Sequence, residues 1–241
     1  MAGHSKWANI KHRKLAVDAK KGALYAQLSK EIAVAAKLGG SDPAFNFRLR
    51  SAVDRAKQGG MPNDNIQRAI DKFKSSGSMK LEEILYEGYG PFSVAVLVES
   101  ATNNRNRTAS EVRLVFSDYQ GNLGETGCVG WGFKHLGLIK IDKKEKISQD
   151  KLLEVIAEYP LIDFELEEDS ENYLLFTEIV DLEKTSTELK KLFSSSSSSM
   201  VYLPSNIVEL KTEEQIKTIE DFISELEALD DVQNVHCNAV Y

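Results

Sequence analysis

Cysteine, tryptophan and histidine are scarce in this sequence: two, two and four among 241 residues. Two thiols, Cys128 and Cys237, cannot staple a chain of this length. That excludes a disulfide scaffold and predicts small buried or half-buried thiols in a reducing compartment. Neither CxxC nor HExxH occurs. Cys128, His135, His236 and Cys237 lack zinc-site spacing, so no metal and no cofactor is expected. Long apolar runs are missing too. The longest hold five residues, Ile32–Ala36 and Val94–Val98, against about 20 for a membrane-spanning helix, which predicts no membrane partner. The opening MAGHSKWANIKHRK has no apolar stretch of the kind a secretory signal needs, so a cytoplasmic address is expected. There is no P-loop and no GxGxxG fingerprint. No Ser/His/Asp or Cys/His set stands in a motif context. The expectation is a protein that is not an enzyme and has no small-molecule substrate.

Charge is present, and it is unevenly placed. The formal net charge is -7, yet residues 1–80 hold 16 Lys/Arg against 6 Asp/Glu, or +10, and residues 81–241 hold 14 against 31, or -17. Such asymmetry between the two parts of a chain points to a polyanionic partner for the basic part.

The chain divides by period. Residues 1–21 read as a basic arm, with Lys6, Lys11, Arg13, Lys14, Lys20 and Lys21 against a single Asp18. Leu24, Leu28 and Ile32, four apart, predict a helix over 22–38 that Gly39-Gly40 stops. Leu49, Val53 and Ala56 mark a second helix, ended by Gly59-Gly60. Pro62-Asn63 opens a third, with Ile66, Ile70 and Phe73 on one side and Gly77 at its end. Residues 22–80 are therefore expected to form a three-helix bundle.

From residue 81 the period falls to two. Strands are predicted over 83–87 and 92–100, a helix over 105–119 and a strand over 128–133. The next segment reads strand 138–142, helix 148–159, strands 164–168 and 173–179, helix 182–193, strand 200–203. That βαββαβ order is ferredoxin-like. Strand 206–210, a helix over 213–229 with a Thr212/Gln215 capping box, and strand 232–238 follow. The expected fold class is α+β. The ferredoxin-like domain (136–204) interrupts a second α/β domain made from residues 81–135 and 205–241, whose two β-α-β pieces otherwise lack partners. The six serines Ser194–Ser199 read as a flexible, solvated loop.

The arm is the first candidate binding element. Lys and Arg on an extended segment neutralise phosphates with little sequence preference. Trp7 among them can stack on an unpaired base, and His4, Ser5 and His12 can hydrogen-bond to phosphate. Arg48, Arg50, Arg55, Lys57, Arg68, Lys72 and Lys74 extend the basic surface into the bundle. The alternative is an ordinary solvated basic tail with Trp7 packed on the bundle. Asn103-Asn104-Arg105-Asn106-Arg107-Thr108 lies at a predicted strand-to-helix junction. It reads equally as an anion site, with Arg105 and Arg107 as forked donors, or as an asparagine N-cap beside exposed arginines. The glycine turns at 86–91 and 121–124 read as structural. The acidic run 163–171 reads as a solvated strand edge and turn, and the acidic domains as a surface for a protein partner.

Six stretches carry a resemblance: GHSKWANIKHRK at 3–14, AAKLGG at 35–40, MPNDNIQRAI at 61–70, YEGYGP at 86–91, NRNRT at 104–108 and DDVQNV at 230–235. Together they resemble the YebC family, in order and over nearly the whole chain. The resemblance implies three domains and a regulator of gene expression without catalytic activity. It implies promoter DNA as the partner, as described for bacterial members, or ribosomal RNA and the ribosome, as for mitochondrial relatives that look like translational activators and members linked to stalled translation. It carries the nucleic-acid surface onto the basic residues of 3–14 and onto Arg105 and Arg107. Gln120-Gly121 departs from the family pattern, which often has two glycines there.

Overall fold

The computed structural model describes residues 21–71, 82–142, 149–165, 172–193 and 196–241. Three helices come first: α1 (Lys21–Gly39), α2 (Phe47–Gln58) and α3 (Asn63–Asp71). Leu28, Ile32, Leu49, Ala52, Val53, Ala56, Ile66 and Ile70 close one apolar core among them. The turn between α1 and α2 is tied by buried Asn46. Its Nδ2 donates to the Ala35 and Gly40 carbonyls at 2.7 and 2.8 Å, while its Oδ1 accepts the Leu49 N–H and caps α2.

Strands β1 (Glu82–Tyr89) and β2 (Ala95–Thr102), helix α4 (Arg105–Asp118) and strand β3 (Asn122–Leu123) follow. The chain then builds β4 (Phe133–Asp142), α5 (Gln149–Ile156), β5 (Leu161–Glu165), β6 (Asn172–Thr177), α6 (Ile179–Leu192) and β7 (Ser196–Pro204). It finishes with β8 (Val208–Glu209), α7 (Glu213–Ala228), β9 (Val232–Cys237) and β10 (Ala239–Val240). The architecture is α+β. One sheet has the order β3-β1-β2-β9, so the chain's last long strand returns to pair with β2. A second has the order β5-β6-β4-β7, the split βαβ arrangement with a strand between the two that a helix connects. β8 and β10 form a short parallel pair.

The period-two reading of β2 fixes the first sheet's faces. Val96 and Val98 join Val112, Val115 and Phe116 of α4 and Ile219, Phe222, Ile223 and Leu226 of α7 in one core. There Phe116 and Phe222 meet edge-to-face, 5.1 Å between centroids. The opposite face is mixed. Leu97 lies between Glu87 and His236, and Glu99 between Leu85 and Asn234. Side chains directly opposite in a ladder share a face, so two carboxylates and an imidazole alternate there with leucines. In the second sheet, Ile139, Ile141 and Leu175 pack on Leu152 and Ile156 of α5 and on Leu182 and Leu189 of α6.

Four expectations need correction. Residues 128–133 are not a strand: Gly130–Gly132 is a 3-10 turn and Phe133 already begins β4. The cause is Glu87, whose carboxylate accepts the N–H groups of Gly127, Val129 and Gly130 at 2.8, 3.0 and 2.6 Å and so removes them from any ladder. Residues 122–123, expected to turn, instead form β3 on the edge of β1. Gly88 makes that pairing possible, since a Cβ there would lie 2.5 Å from the Asn122 carbonyl oxygen. β2 begins at Ala95 because Pro91–Ser93 forms a 3-10 turn, and Gly90 before it faces the Phe222 ring, 2.7 Å from where a Cβ would stand. Lastly, Ser196–Ser199 are not loop but the first half of β7, pairing Ile141 to Leu138 of β4. Ser196 and Ser198 are buried. Residues 166–171 of the acidic run, Lys72, Phe73, Lys74 and Gly77 lie outside the described residues.

Candidate nucleic-acid interface

Of the arm, His4, Ser5, Lys6, Trp7, Lys11, His12, Arg13, Lys14 and Lys20 lie outside the described residues, and Lys21 opens α1. The bundle arginines are placed, and three of them meet carboxylates. Arg48 pairs with Glu83 of β1. Arg50 pairs with Glu183 of α6 at 2.8 Å, donates to the Pro43 carbonyl, and lies over the Phe47 ring. Arg55 pairs with Glu31 of α1. Burial pulls the Arg55 guanidinium down to about 10, against an upward pull from Glu99, so it stays charged at neutral pH. Arg68 is exposed and bonds locally to Asn65 Oδ1 and the Asp64 carbonyl.

At the second candidate the asparagine N-cap is present. Asn104 Oδ1 accepts the Arg107 N–H at 3.2 Å. Arg107 Nη2 in turn meets Asp231 Oδ2 at 2.8 Å, and the hydroxyls of Thr108 and Thr102 donate to the same oxygen at 2.5 and 2.9 Å. Burial would raise the Asp231 carboxyl; the bonds from Arg107, Thr108 and Thr102 outweigh it and hold the group below the usual carboxylate range. The bond to Asp231 also raises the Arg107 guanidinium. Arg105, exposed at the first position of α4, accepts the Tyr86 hydroxyl on its carbonyl. The NRNRT segment thus ties α4 to the turn before β9. Sequence reasoning missed Asp231 as its partner, although Asp230-Asp231 stood in one of the quoted stretches.

The mixed face of the first sheet holds a cluster that sequence reasoning also missed. Glu99 Oε2 accepts Asn234 Nδ2 at 2.8 Å and lies 3.1 Å from His236 Nε2. Tyr202 of β7 stacks on His135 of β4, 4.1 Å between centroids, and meets His236 edge-on at 5.2 Å. Burial would raise the Glu99 carboxyl, but His236 and Asn234 hold it below its ordinary value. Burial lowers the His135 imidazole. The signal available was a lone carboxylate alternating with leucine and alanine in β2. Cys237 points the other way, into the core under α4 and α7, so the four ligand-type residues named from the sequence do not converge. Among the described residues no group of three or more His, Cys, Asp and Glu could hold a metal ion, and no helix is long and apolar enough to cross a membrane.

The fold is a helical unit seated on two sheets, with three of its guanidinium groups paired to carboxylates. The model for the TACO1/YebC protein N-terminal domain matches residues 5–76, and that for the TACO1/YebC second and third domain matches residues 81–239. The chain belongs to the TACO1/YebC family. A probable transcriptional regulatory protein of Natranaerobius thermophilus is 49% identical over 99% of this chain and 96% of its own. One from Trichormus variabilis is 48% identical over 99% and 95%. The crystal structure of the conserved hypothetical protein Aq1575 from Aquifex aeolicus superposes with a TM-score of 0.77 at 40% identity, over 92% of this chain and 91% of that one.

Proposed function

We propose that this chain is a nucleic-acid-binding regulator of gene expression that acts by binding rather than by catalysis, with promoter DNA as its target. The observation that carries the reading is the concentration of 16 Lys/Arg against 6 Asp/Glu in residues 1–80, densest around Trp7. Cations at that density release counterions from a phosphate backbone. The relatives' description as probable transcriptional regulatory proteins supports it. Replacing Lys11, Arg13 and Lys14 with alanine is expected to weaken binding and to flatten the log–log salt dependence by about three units, if each cation meets a phosphate. An unchanged slope removes the arm from the reading.

A second reading has its own observation. Residues 81–241, at -17, are repelled by long duplex DNA, whereas Trp7 beside cations suits unpaired bases. On that reading the same arm contacts ribosomal RNA and the protein is a translation factor. Crosslinking in cells followed by sequencing of the attached nucleic acid separates the two. Ribosomal RNA without promoter DNA ends the transcriptional reading, and promoter DNA without ribosomal RNA ends the translational one.

A further inference from the structure

The helical unit sits on both sheets through polar and ionic groups. Arg48 meets Glu83 of the first sheet, and Arg50 meets Glu183 on α6 of the second. Lys190 of α6 meets Asp54 of α2. Lys30 Nζ donates to the Leu229 carbonyl and Gln27 to that of Gln233. Gln58 Nε2 donates to the Ser196 carbonyl, and the Ser51 and Ser198 hydroxyls lie 3.1 Å apart. Phe47 is the one side chain of α2 that packs on the second sheet's apolar core. The fit is also incomplete, for Arg55 Nε and Ser196 Oγ are buried with no hydrogen-bond partner. Meanwhile the helical unit closes its own core without either sheet.

We propose that the side of α2 that docks on the sheets, edged by Arg48, Arg50 and Arg55, is a second phosphate-binding surface, whose guanidinium groups the chain's own carboxylates keep paired until a nucleic-acid backbone displaces them. This rests on the nucleic-acid reading above. Arg48 and Arg55 are seven residues apart and lie along one edge of the side of α2 that docks on the sheets, while Arg50 lies along its other edge, with Ser51 and Gln58 between them. Guanidinium forks take a carboxylate and a phosphate in the same geometry, and Glu83, Glu183 and Glu31 stand where phosphate oxygens would. The Arg48 and Arg50 pairs are open to solvent, with side chains 34–59% exposed. Exchange of such pairs for a denser array of anions is easy, and salt weakens them.

The Ser51–Ser198 contact supplies the test. A full-length Ser51→Cys/Ser198→Cys chain is oxidised, and its binding to a 20-nucleotide RNA and a 20-base-pair DNA duplex is measured across salt concentration, against the unsubstituted chain treated alike. The oxidised form is expected to lose about two units of log–log salt slope, one each for Arg48 and Arg50, whose carboxylates the crosslink holds in place, and to regain them on reduction. Loss confined to the duplex or to the RNA says which backbone the face takes. Equal slopes in oxidised and reduced protein, with binding intact, overturn the proposal and leave the nucleic-acid reading standing. Absence of binding in both forms overturns the nucleic-acid reading itself. If the disulfide does not form, Glu83→Gln/Glu183→Gln replaces it, with Glu125→Gln/Glu209→Gln as the charge-matched control at exposed sites. The first pair is expected to tighten binding several-fold beyond the control and to steepen its salt slope; equality with the control overturns the proposal.

Discussion

Between the two sheets, Ala95, Leu97, Val129 and Phe133 are buried against one another, with Leu85 and Tyr202 packed at their margin. Between the helical unit and the same sheets, the contacts are mostly polar: Arg48–Glu83, Arg50–Glu183, Lys190–Asp54, a pair of serines and hydrogen bonds from Gln27, Lys30 and Gln58, with Phe47 as the apolar exception. Apolar burial stabilises in proportion to area and is indifferent to moderate salt. Half-exposed ion pairs contribute about 0–1 kcal/mol each and fade as salt rises. The two sheets are therefore joined for the lifetime of the fold, while the helical unit is seated by contacts that a competing polyanion or added salt can replace. A chain whose overall charge of -7 argues against nucleic acid uses part of its basic excess on itself.

The difference can be tested from its strongest consequence down. Leu97→Ala, at a fully buried position of the sheet-to-sheet seam, is expected to lose about 3 kcal/mol in urea unfolding, with no dependence on salt. A salt-dependent loss of that size would mean the seam is not the apolar joint described. Glu87→Gln removes the charge from a carboxylate that accepts three backbone N–H groups beside that seam. It is expected to cost about 2 kcal/mol and to speed hydrogen exchange over residues 127–130. At the helical seam, Glu183→Ala is expected to cost at most about 1 kcal/mol at low salt and nothing measurable at high salt. A loss that survives salt would place this seam in the same class as the other.

Acid probes where the units meet. The His135 imidazole, stacked on Tyr202, titrates below its ordinary value because burial disfavours its charged form, with Glu99 pulling up and His236 pulling down. The groups that act on it are Tyr202 of β7, Glu99 of β2 and His236 of β9; Glu99 in turn bonds Asn234 and pulls on Arg55 of α2. The unfolded state binds the proton first, so this contribution is complete above about pH 6.5 and is lost as pH falls through the lowered value. Glu99, also depressed, acts in the same direction at lower pH. Unfolding midpoints at pH 8 and pH 5.5 should therefore differ, and His135→Phe, which keeps a ring on Tyr202, should reduce the difference. The smallest expected effect lies outside both seams. Gln120, after α4, holds φ +59, a backbone conformation that favours glycine. Gln120→Gly should raise stability by up to about 1 kcal/mol and leave the salt dependence of either seam unchanged.

Much of the fold was legible because it is local. Leucine and isoleucine every four residues marked α1, and alternating valines marked the core face of β2. Thr212 with Gln215 marked the start of α7, where both capping bonds are present. The misreadings share a cause. Residues 128–133 look like a strand until Glu87, some forty positions earlier, takes their N–H groups. Ser196–Ser199 look like a linker until β4 pairs with them. The candidate site divides in the same way: the arm and the NRNRT cap were visible in composition and motif, whereas Asp231, Glu99 and His236 gained their roles from strands distant in sequence.

What the sequence determined by itself was the charge polarity, the family, and the type and order of most elements, since these follow from composition, spacing and local caps. What only the tertiary structure decided was the use of that charge. Arg48, Arg50 and Arg55 read as free cations along the chain, yet folding brings Glu83, Glu183 and Glu31 to within ion-pair distance of them. Sequence sets how much charge a helix carries. Which carboxylate lies opposite depends on strand order and on the docking of units far apart in the chain.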